Sequence, residues 1–315
     1  MKKYILKRIG ISLIVLLGIT VIDFLIMTVA GNPIEIMSGG PKVNQAALAQ
    51  RAANMGLDRS PIVQYFSWLK AVLHGDFGYS FRSYEKVSSM ILSHLRPTLV
   101  LMGSTLLVST IIAVAFGILS ALKTRSAFDY IVQALAFLGQ SVPQFFMALI
   151  LIYLFAIRLG ILPSSGMGVL TASGEKLRLR NLILPMMVLA FTMAGRNIRY
   201  IRSSMLEILN KEYLRTAKAK GIGRARVVLV HAFKNALVPV ITVIAMEIPG
   251  LVGGSVIVEQ VFSWPGLGQM TMSAVLARDY PVIMAVCLLS AVAVLMTNVL
   301  ADILYAAVDP AVRFK

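Results

Sequence analysis

Charge, cysteine and histidine are scarce in this chain, and each scarcity closes off a class of function. Only 14% of the 315 residues are charged, against roughly a quarter in a soluble domain. The one cysteine, Cys287, cannot close a disulfide within the chain. The three histidines, His74, His94 and His231, are dispersed and lack the spacing of a metal site. No Gly-x-x-x-x-Gly-Lys-Ser/Thr segment occurs, so the chain carries no phosphate-cradling loop of its own for ATP. No Ser/His/Asp or Cys/His grouping points to a nucleophile. The reading is of a non-enzyme, whose uphill work would draw on a partner or an ion gradient.

What the chain has in abundance is apolar sequence, 58% of residues, with a mean hydropathy of +0.81. It comes in blocks. Ile9–Ala30, Thr98–Leu122, Tyr130–Ile157, Ala236–Val258 and Pro281–Ala301 each approach the ~20 residues that cross a bilayer. Leu182–Gly195 is shorter and reaches the interface if Arg196 and Arg199 snorkel their charges out of the hydrocarbon. Six spans are therefore expected, and in lipid each is helical, because a helix satisfies its own backbone. The fold class is all-α and polytopic. The first apolar stretch is too long for the ~7–15-residue core of a secretion signal and reads as a retained anchor, 1–30. An outer helical loop, 31–97, precedes a five-helix core, 98–315.

The net charge of +16 tempts one toward nucleic acid, but its distribution reads as membrane orientation. With six spans both termini share a side. That side holds Met1–Arg8, Lys123–Asp129, Arg196–Asn235 and the C-terminal tail, with 4, 2, 10 and 2 Lys/Arg. Seven of the remaining 12 lie in the long segment 31–97, and loops longer than about 60 residues count little. Both termini are expected in the cytoplasm, with no nucleic-acid partner.

The connecting loops are punctuated. In 31–97, Ser60 is placed to cap, Pro61 to open and Gly75 to stop a helix whose apolar face is Ile62, Tyr65, Phe66, Leu69, Val72 and Leu73. An earlier helix is expected near Asn44–Met55. The loop 158–181 reads as mobile. The loop 259–280 opens with "EQVFSWPGLGQ", whose Trp264, Pro265 and Gly266 favour turns; with Glu259 these are candidates for an outer gate. Ionisable groups within spans suggest function by default: of Asp23, Glu247 and Asp302, Glu247, beside Pro249 and Gly250, is the pathway candidate, while Asp302, with Asn298 one turn earlier, reads as binding other helices or the basic cytoplasmic segment. Gly250, Gly253 and Gly254 form a small-residue pattern, read as a close helix contact rather than a flexible gate. Gln140, Ser141 and Pro143 offer polar atoms and a broken backbone inside an apolar run. Gln140, Ser141, Glu247, Gly250 and Gly254 are the pathway candidates. The methionines read as packing or lipid-facing residues.

One basic segment stands between two spans, "EYLRTAKAKGIGRARVVLVHAFKNALVP", 212–239. Lys211–Lys220 is helix-forming, with Lys211, Arg215 and Lys218 on one face and Leu214 and Ala217 on another. Gly221 suits the helix stop. A second short helix is expected over Arg224–Lys234. By itself such a helix could lie on anionic lipid, yet the small Ala217, Ala219 and Gly221 also admit a close protein surface.

"RTAKAKG" followed by "NALVP" resembles the cytoplasmic signature of ABC importer permeases, in the form used by the dipeptide/oligopeptide/nickel family. The matching positions are Glu212, Tyr213, Arg215, Thr216, Ala217, Ala219, Lys220 and Gly221. The general signature has an acidic residue and two alanines before the glycine; here Arg215, Thr216 and Ala217 stand in those positions. "GLDRSPIVQY", "GDFGYS", "RPTL", "SVPQF", "GGSVIVEQVFSWPGLG", "RDYP" and "DILYAAVDPAVR" follow the family in order along the whole chain. The resemblance implies a type I importer permease fold, with spans two to five lining a route shared with a second, homologous permease. It implies a coupling segment, about 203–235, that seats Glu212, Tyr213, Arg215, Thr216, Ala217, Lys218, Ala219 and Gly221 against a cytoplasmic ATPase. It further implies two such ATPases, which bind the ATP and Mg absent from this chain, an extracytoplasmic substrate-binding protein, and a bacterial inner or plasma membrane. Short peptides are the leading substrate; nickel, glutathione-like peptides and oligosaccharides are the others. The competing reading is an ion-coupled secondary transporter or channel acting alone through Asp23 and Glu247. The coupling signature and the absence of an inverted repeat weigh against it.

Overall fold

The computed structural model describes residues 2–29, 58–171, 174–219, 223 and 233–308. The described chain is almost entirely helical. Helix α1 is Lys2–Val29, α2 Pro61–Leu73, α3 Val87–Leu122, α4 Ala127–Ser141 and α5 Gln144–Leu151, continued as π-helix over Ile152–Arg158. A small antiparallel hairpin, β1 Gly168–Thr171 with β2 Gly174–Leu177, leads into α6, Leu179–Leu209. Then come α7 Glu212–Ala219, α8 Phe233–Gly253, α9 Val256–Val261, α10 Leu267–Ala277 and α11 Tyr280–Val308.

Four described helices are long and apolar enough to cross a membrane, and α4 with α5 and its π-helical continuation, bent by 106°, makes a fifth if the pair is one span rather than a re-entrant loop. The sixth expected span falls on α8, a 21-residue helix about 31 Å long. Its described apolar stretch, Val240–Gly253, is shorter than a span by itself.

The expected boundaries shift for physical reasons. Span two begins at Val87 rather than Thr98, as part of a 36-residue helix. Span three is not one straight helix. Pro143 has no N–H to give the Gly139 carbonyl, and the helix breaks there. Span four is not the short Leu182–Gly195 but a 31-residue helix, and Arg196 and Arg199 lie well inside it. Span five stops at Gly253, so Glu259 sits on the separate α9. Described residues of the loop 158–181, expected to be mobile, hydrogen-bond to other parts of the fold. Gly166 donates to the Phe262 carbonyl at 2.8 Å, and Asn181 Nδ2 donates to the carbonyls of Ser165 and Gly166.

Helix α2 forms where expected. Pro61 opens it, the Ser60 carbonyl accepts from Gln64 N at 3.0 Å, and Gly75 takes φ +79° past its end. The Ser60 side chain makes no cap bond. The apolar face divides: Tyr65 and Trp68 pack on Phe24 of α1, while Ile62, Phe66 and Leu73 stay exposed. Thr20 and Tyr65 join the two helices by a 2.9 Å hydrogen bond. The expected helices near 44–55 and 224–234 and the stop at Gly221 lie outside the described residues.

Helices α3, α4 and α6 form the packed centre. Two glycines let α4 and α6 touch. A Cβ on Gly195 would stand 2.5 Å from the Ala136 carbonyl oxygen, and one on Gly139 would stand 2.7 Å from that of Phe191. The largest core joins Leu101, Leu184, Val188, Val258, Phe262 and Trp264, so the loop after α8 is part of the interior.

Candidate functional site

Three groups of polar residues mark this chain, and α3 and α6 carry two of them to opposite ends. At one end, α7 folds back across the ends of α3 and α6. Leu214 is fully buried against Ala121 and Met205, with Ile118, Leu206 and Leu209 around it. The opposite side of α7 is open, with Glu212, Tyr213 and Thr216 exposed. A buried leucine therefore anchors a short helix whose polar face is presented outward. The backbone of Arg215, Ala217, Lys218 and Ala219 continues the same helix.

Next to this mount lies a charge clamp that sequence reading missed. Arg202 of α6 forks onto Asp129 of α4, Nε to Oδ1 at 2.8 Å and Nη2 to Oδ2 at 2.7 Å. Ser120 of α3 donates to Asp129 Oδ1, and the Arg125 amide donates to Oδ2 at 3.0 Å. Three helices meet on one buried carboxylate. The signal available in sequence was slight: Asp129 is the sole acid in the short basic loop 123–129, facing the basic stretch after Gly195.

Arg202 is the last of three arginines spaced three residues apart on α6. Arg196 pairs with Glu247 of α8, and Arg199 donates to Gln140 at the end of α4. Arg196 and Arg199, expected to snorkel, meet Glu247 and Gln140 of neighbouring helices. Side chains on a helix tilt toward its N-terminus, which for α6 is the end remote from α7. Gly139 abuts Phe191, two turns back along α6, so Arg199 reaches toward the middle of the span to meet Gln140. The structure thus brings together two pathway candidates, Gln140 and Glu247, with two arginines. Arg196 is 62% exposed and Glu247 12%; Gln140, Ser141 and Arg199 are exposed.

Gly250 and Gly253 do not make the expected close helix contact. Within this chain a Cβ on Gly250 would meet only the Met102 methyl at 3.9 Å, and one on Gly253 would meet nothing within 4 Å. Gly254 has another task. At φ +66° it turns the chain out of α8, and a Cβ there would lie 2.6 Å from Glu259 Oε1.

That carboxylate centres the opposite end of the molecule. Glu259 is fully buried. Oε1 accepts from Thr98 Oγ1 and Oε2 from the Gln269 amide, both at 3.0 Å, while Thr98 Oγ1 accepts from the Leu267 amide at 2.7 Å. Gly254, Gly266 and Gly268 wall the carboxylate, each with room for no Cβ. Burial pushes the Glu259 carboxyl above its ordinary range, and the Gln269 amide and Thr98 hydroxyl pull the other way. Trp264 is fully buried and donates from Nε1 to the Pro97 carbonyl at 3.0 Å. Glu259, Trp264 and Gly266, expected in an outer gate, form a closed knot, with Pro265 half-buried at its edge.

Asp23 stands apart from all three groups. It is half-buried on the peripheral α1, and its Oδ2 meets no hydrogen-bond partner. Asn298 is exposed, and the Asp302 side chain lies outside the described residues. No cluster of three His, Cys, Asp or Glu occurs among the described residues.

A bundle of apolar helices with Arg199 at the break between α4 and α5, and a short helix mounted across the bundle's end, is the architecture of a polytopic membrane protein. Residues 113–314 match the family described as binding-protein-dependent transport system inner membrane component, and 1–102 match its N-terminal companion. The chain is 43% identical over its full length, and that of the relative, to the oligopeptide transport system permease protein AppB of Bacillus subtilis (strain 168). It is 35% identical, again with both chains wholly covered, to the dipeptide transport system permease protein DppB of Escherichia coli (strain K12). It is 36% identical to the glutathione transport system permease protein GsiC of Salmonella choleraesuis (strain SC-B67), also over both whole chains. Among solved structures, an inward-facing MetNI methionine ABC transporter matches with a TM-score of 0.56 at 17% identity, over 70% of this chain and 96% of that one. That likeness shows the fold. The chain belongs to the family of inner-membrane permease components of binding-protein-dependent ABC importers.

Proposed function

We propose that this chain is one of two homologous permeases in an ATP-driven importer of short peptides. The observation that carries the reading is the mount of α7. One buried side chain, Leu214, ties it to the ends of α3 and α6, and α6 also bears the arginine row. A push on α7 is thereby delivered to the helices at the pathway. Differential binding at one end biases a two-state bundle at the other. In this reading Glu212, Tyr213, Arg215, Thr216, Ala217, Lys218, Ala219 and Gly221 seat against a cytoplasmic ATPase. Two such ATPases bind the ATP and Mg, and an extracytoplasmic protein delivers the substrate. The α7 end faces the cytoplasm with both termini. The peptide assignment rests on the named relatives, which are oligopeptide, dipeptide and glutathione permeases.

The competing ion-coupled reading needs Asp23 and Glu247 as cation sites. Glu247 is already taken by Arg196, and Asp23 lies on a peripheral helix away from it. The test is purification of the tagged chain in gentle detergent, followed by an ATPase assay and reversal of charge at Arg215 with Lys218. A second permease and an ATPase pair are expected to accompany the chain. The reversal is expected to abolish uptake while the protein stays in the membrane. A solitary chain that transports under a proton gradient, or undiminished uptake by the reversed variant, would sink the reading.

A further inference from the structure

The geometry points to Arg199, with Arg196 beside it, as a site that takes the free C-terminal carboxylate of a peptide in transit. The inference rests on the importer reading and goes beyond it to name the group recognised. Arg196, Arg199 and Arg202 face two carboxylates, Glu247 and Asp129. Among the described residues Arg199 is the one of the three with no carboxylate partner; its acceptor is the neutral Gln140 side chain. Among the described residues one positive charge of this row is therefore left over, and it lies on Arg199.

Its placement fits a ligand. Arg199 reaches to the end of α4, where the helix breaks before Pro143 and turns by 106°. An unneutralised guanidinium at that depth faces a water-filled route or another protein, not lipid. The guanidinium and its Gln140 acceptor are both exposed in this chain. A guanidinium has five N–H donors in a planar fork, and Gln140 engages one nitrogen of it. The fork matches a carboxylate in a bidentate pair. Arg196, one turn away, is held by Glu247 at one nitrogen yet keeps 62% of its side chain exposed, so it can add a second donor. Asp129 locks Arg202 and keeps it out of this role. Every linear peptide with a free C-terminus carries this carboxylate whatever its side chains. A site that reads it serves a carrier of many sequences.

The test uses the complete importer in vesicles, with ATP on the α7 side, one binding protein throughout, and tri-alanine and tri-alanine C-terminal amide as probes. Any preference of the binding protein is common to all variants and cancels when their carboxylate-to-amide ratios are compared. Arg199→Gln is expected to lower that ratio at least about tenfold, the loss of the charge-assisted pair, and Arg199→Lys to restore only part of it, because an ammonium keeps the charge but not the fork. Gln140→Glu, which neutralises the guanidinium without removing it, is expected to lower the ratio as well. Ratios in Arg199→Gln and Gln140→Glu equal to that of the unaltered chain would overturn the site. A wild-type complex that hydrolyses ATP but imports neither probe would overturn the peptide ligand and this site with it. A chain that brings no ATPase at all would remove the importer reading itself, an outcome visible before any variant is made.

Discussion

At the α7 end the buried carboxylate, Asp129, is held by the fork of Arg202; at the Trp264 end the buried carboxylate, Glu259, meets only neutral donors. Both acids join helices distant in sequence. The charged clamp is directional and lies beside a helix whose other face is open. The neutral knot is walled by glycines and plugged by a fully buried tryptophan. The difference teaches where motion can enter. An ion pair next to an open surface can move as a unit with the helices it grips, whereas a knot with no room for a Cβ has one arrangement. In the coupling proposed above, the Trp264 end is the fixed side of the bundle and the α7 end the driven one.

The comparison can be broken most severely at the clamp. Arg202→Met leaves Asp129 buried and unpaired, and should destabilise the protein by about 3–5 kcal/mol, read as a fall in the thermal midpoint in detergent. Asp129→Leu combined with it should recover much of the loss. A single variant as stable as the original would show that the clamp is not a fastening. Gly266→Ala probes the other end. Its Cβ would stand 2.5 Å from the Glu259 carboxylate and from Thr98 Oγ1, and overpacking of this kind costs about 1–3 kcal/mol. Stability should fall while the peptide transported per ATP hydrolysed holds steady; a change in that ratio would mean the knot moves during transport.

The finest test of the difference is pH. Glu259 has its folded value raised by burial, so the stability it supports is complete below its ordinary value and drains away as pH rises through the folded one. The stability difference between the original chain and Glu259→Gln should therefore shift against the original as pH rises. A difference independent of pH would mean that the knot does not feel the charge of this carboxylate.

Much of this was legible in the sequence because it depended on local pattern. Pro61 and Gly75 bounded α2 correctly, and "EYLRTAKA" formed the expected helix. The break near Ser141–Pro143 followed from the missing N–H. Other features were not legible. Gly250 and Gly253 matched a contact pattern, but a pattern does not say what stands opposite. Arg196 and Arg199 looked like the polar edge of a short span. Instead they lie within the long α6 and stay exposed in this chain, with Glu247 and Gln140, about fifty and sixty positions away in the chain, coming to meet them.

Composition and periodicity alone determined that this is a helical membrane protein. Those properties depend on which residues are present and on the repeat of one helix. Only the tertiary structure decided which charges are neutralised. It joined Asp129 to Arg202 and closed glycines around Glu259, and it left Arg199 with a neutral partner at a broken helix. Such pairings depend on distances between helices, and a linear order of residues does not contain them.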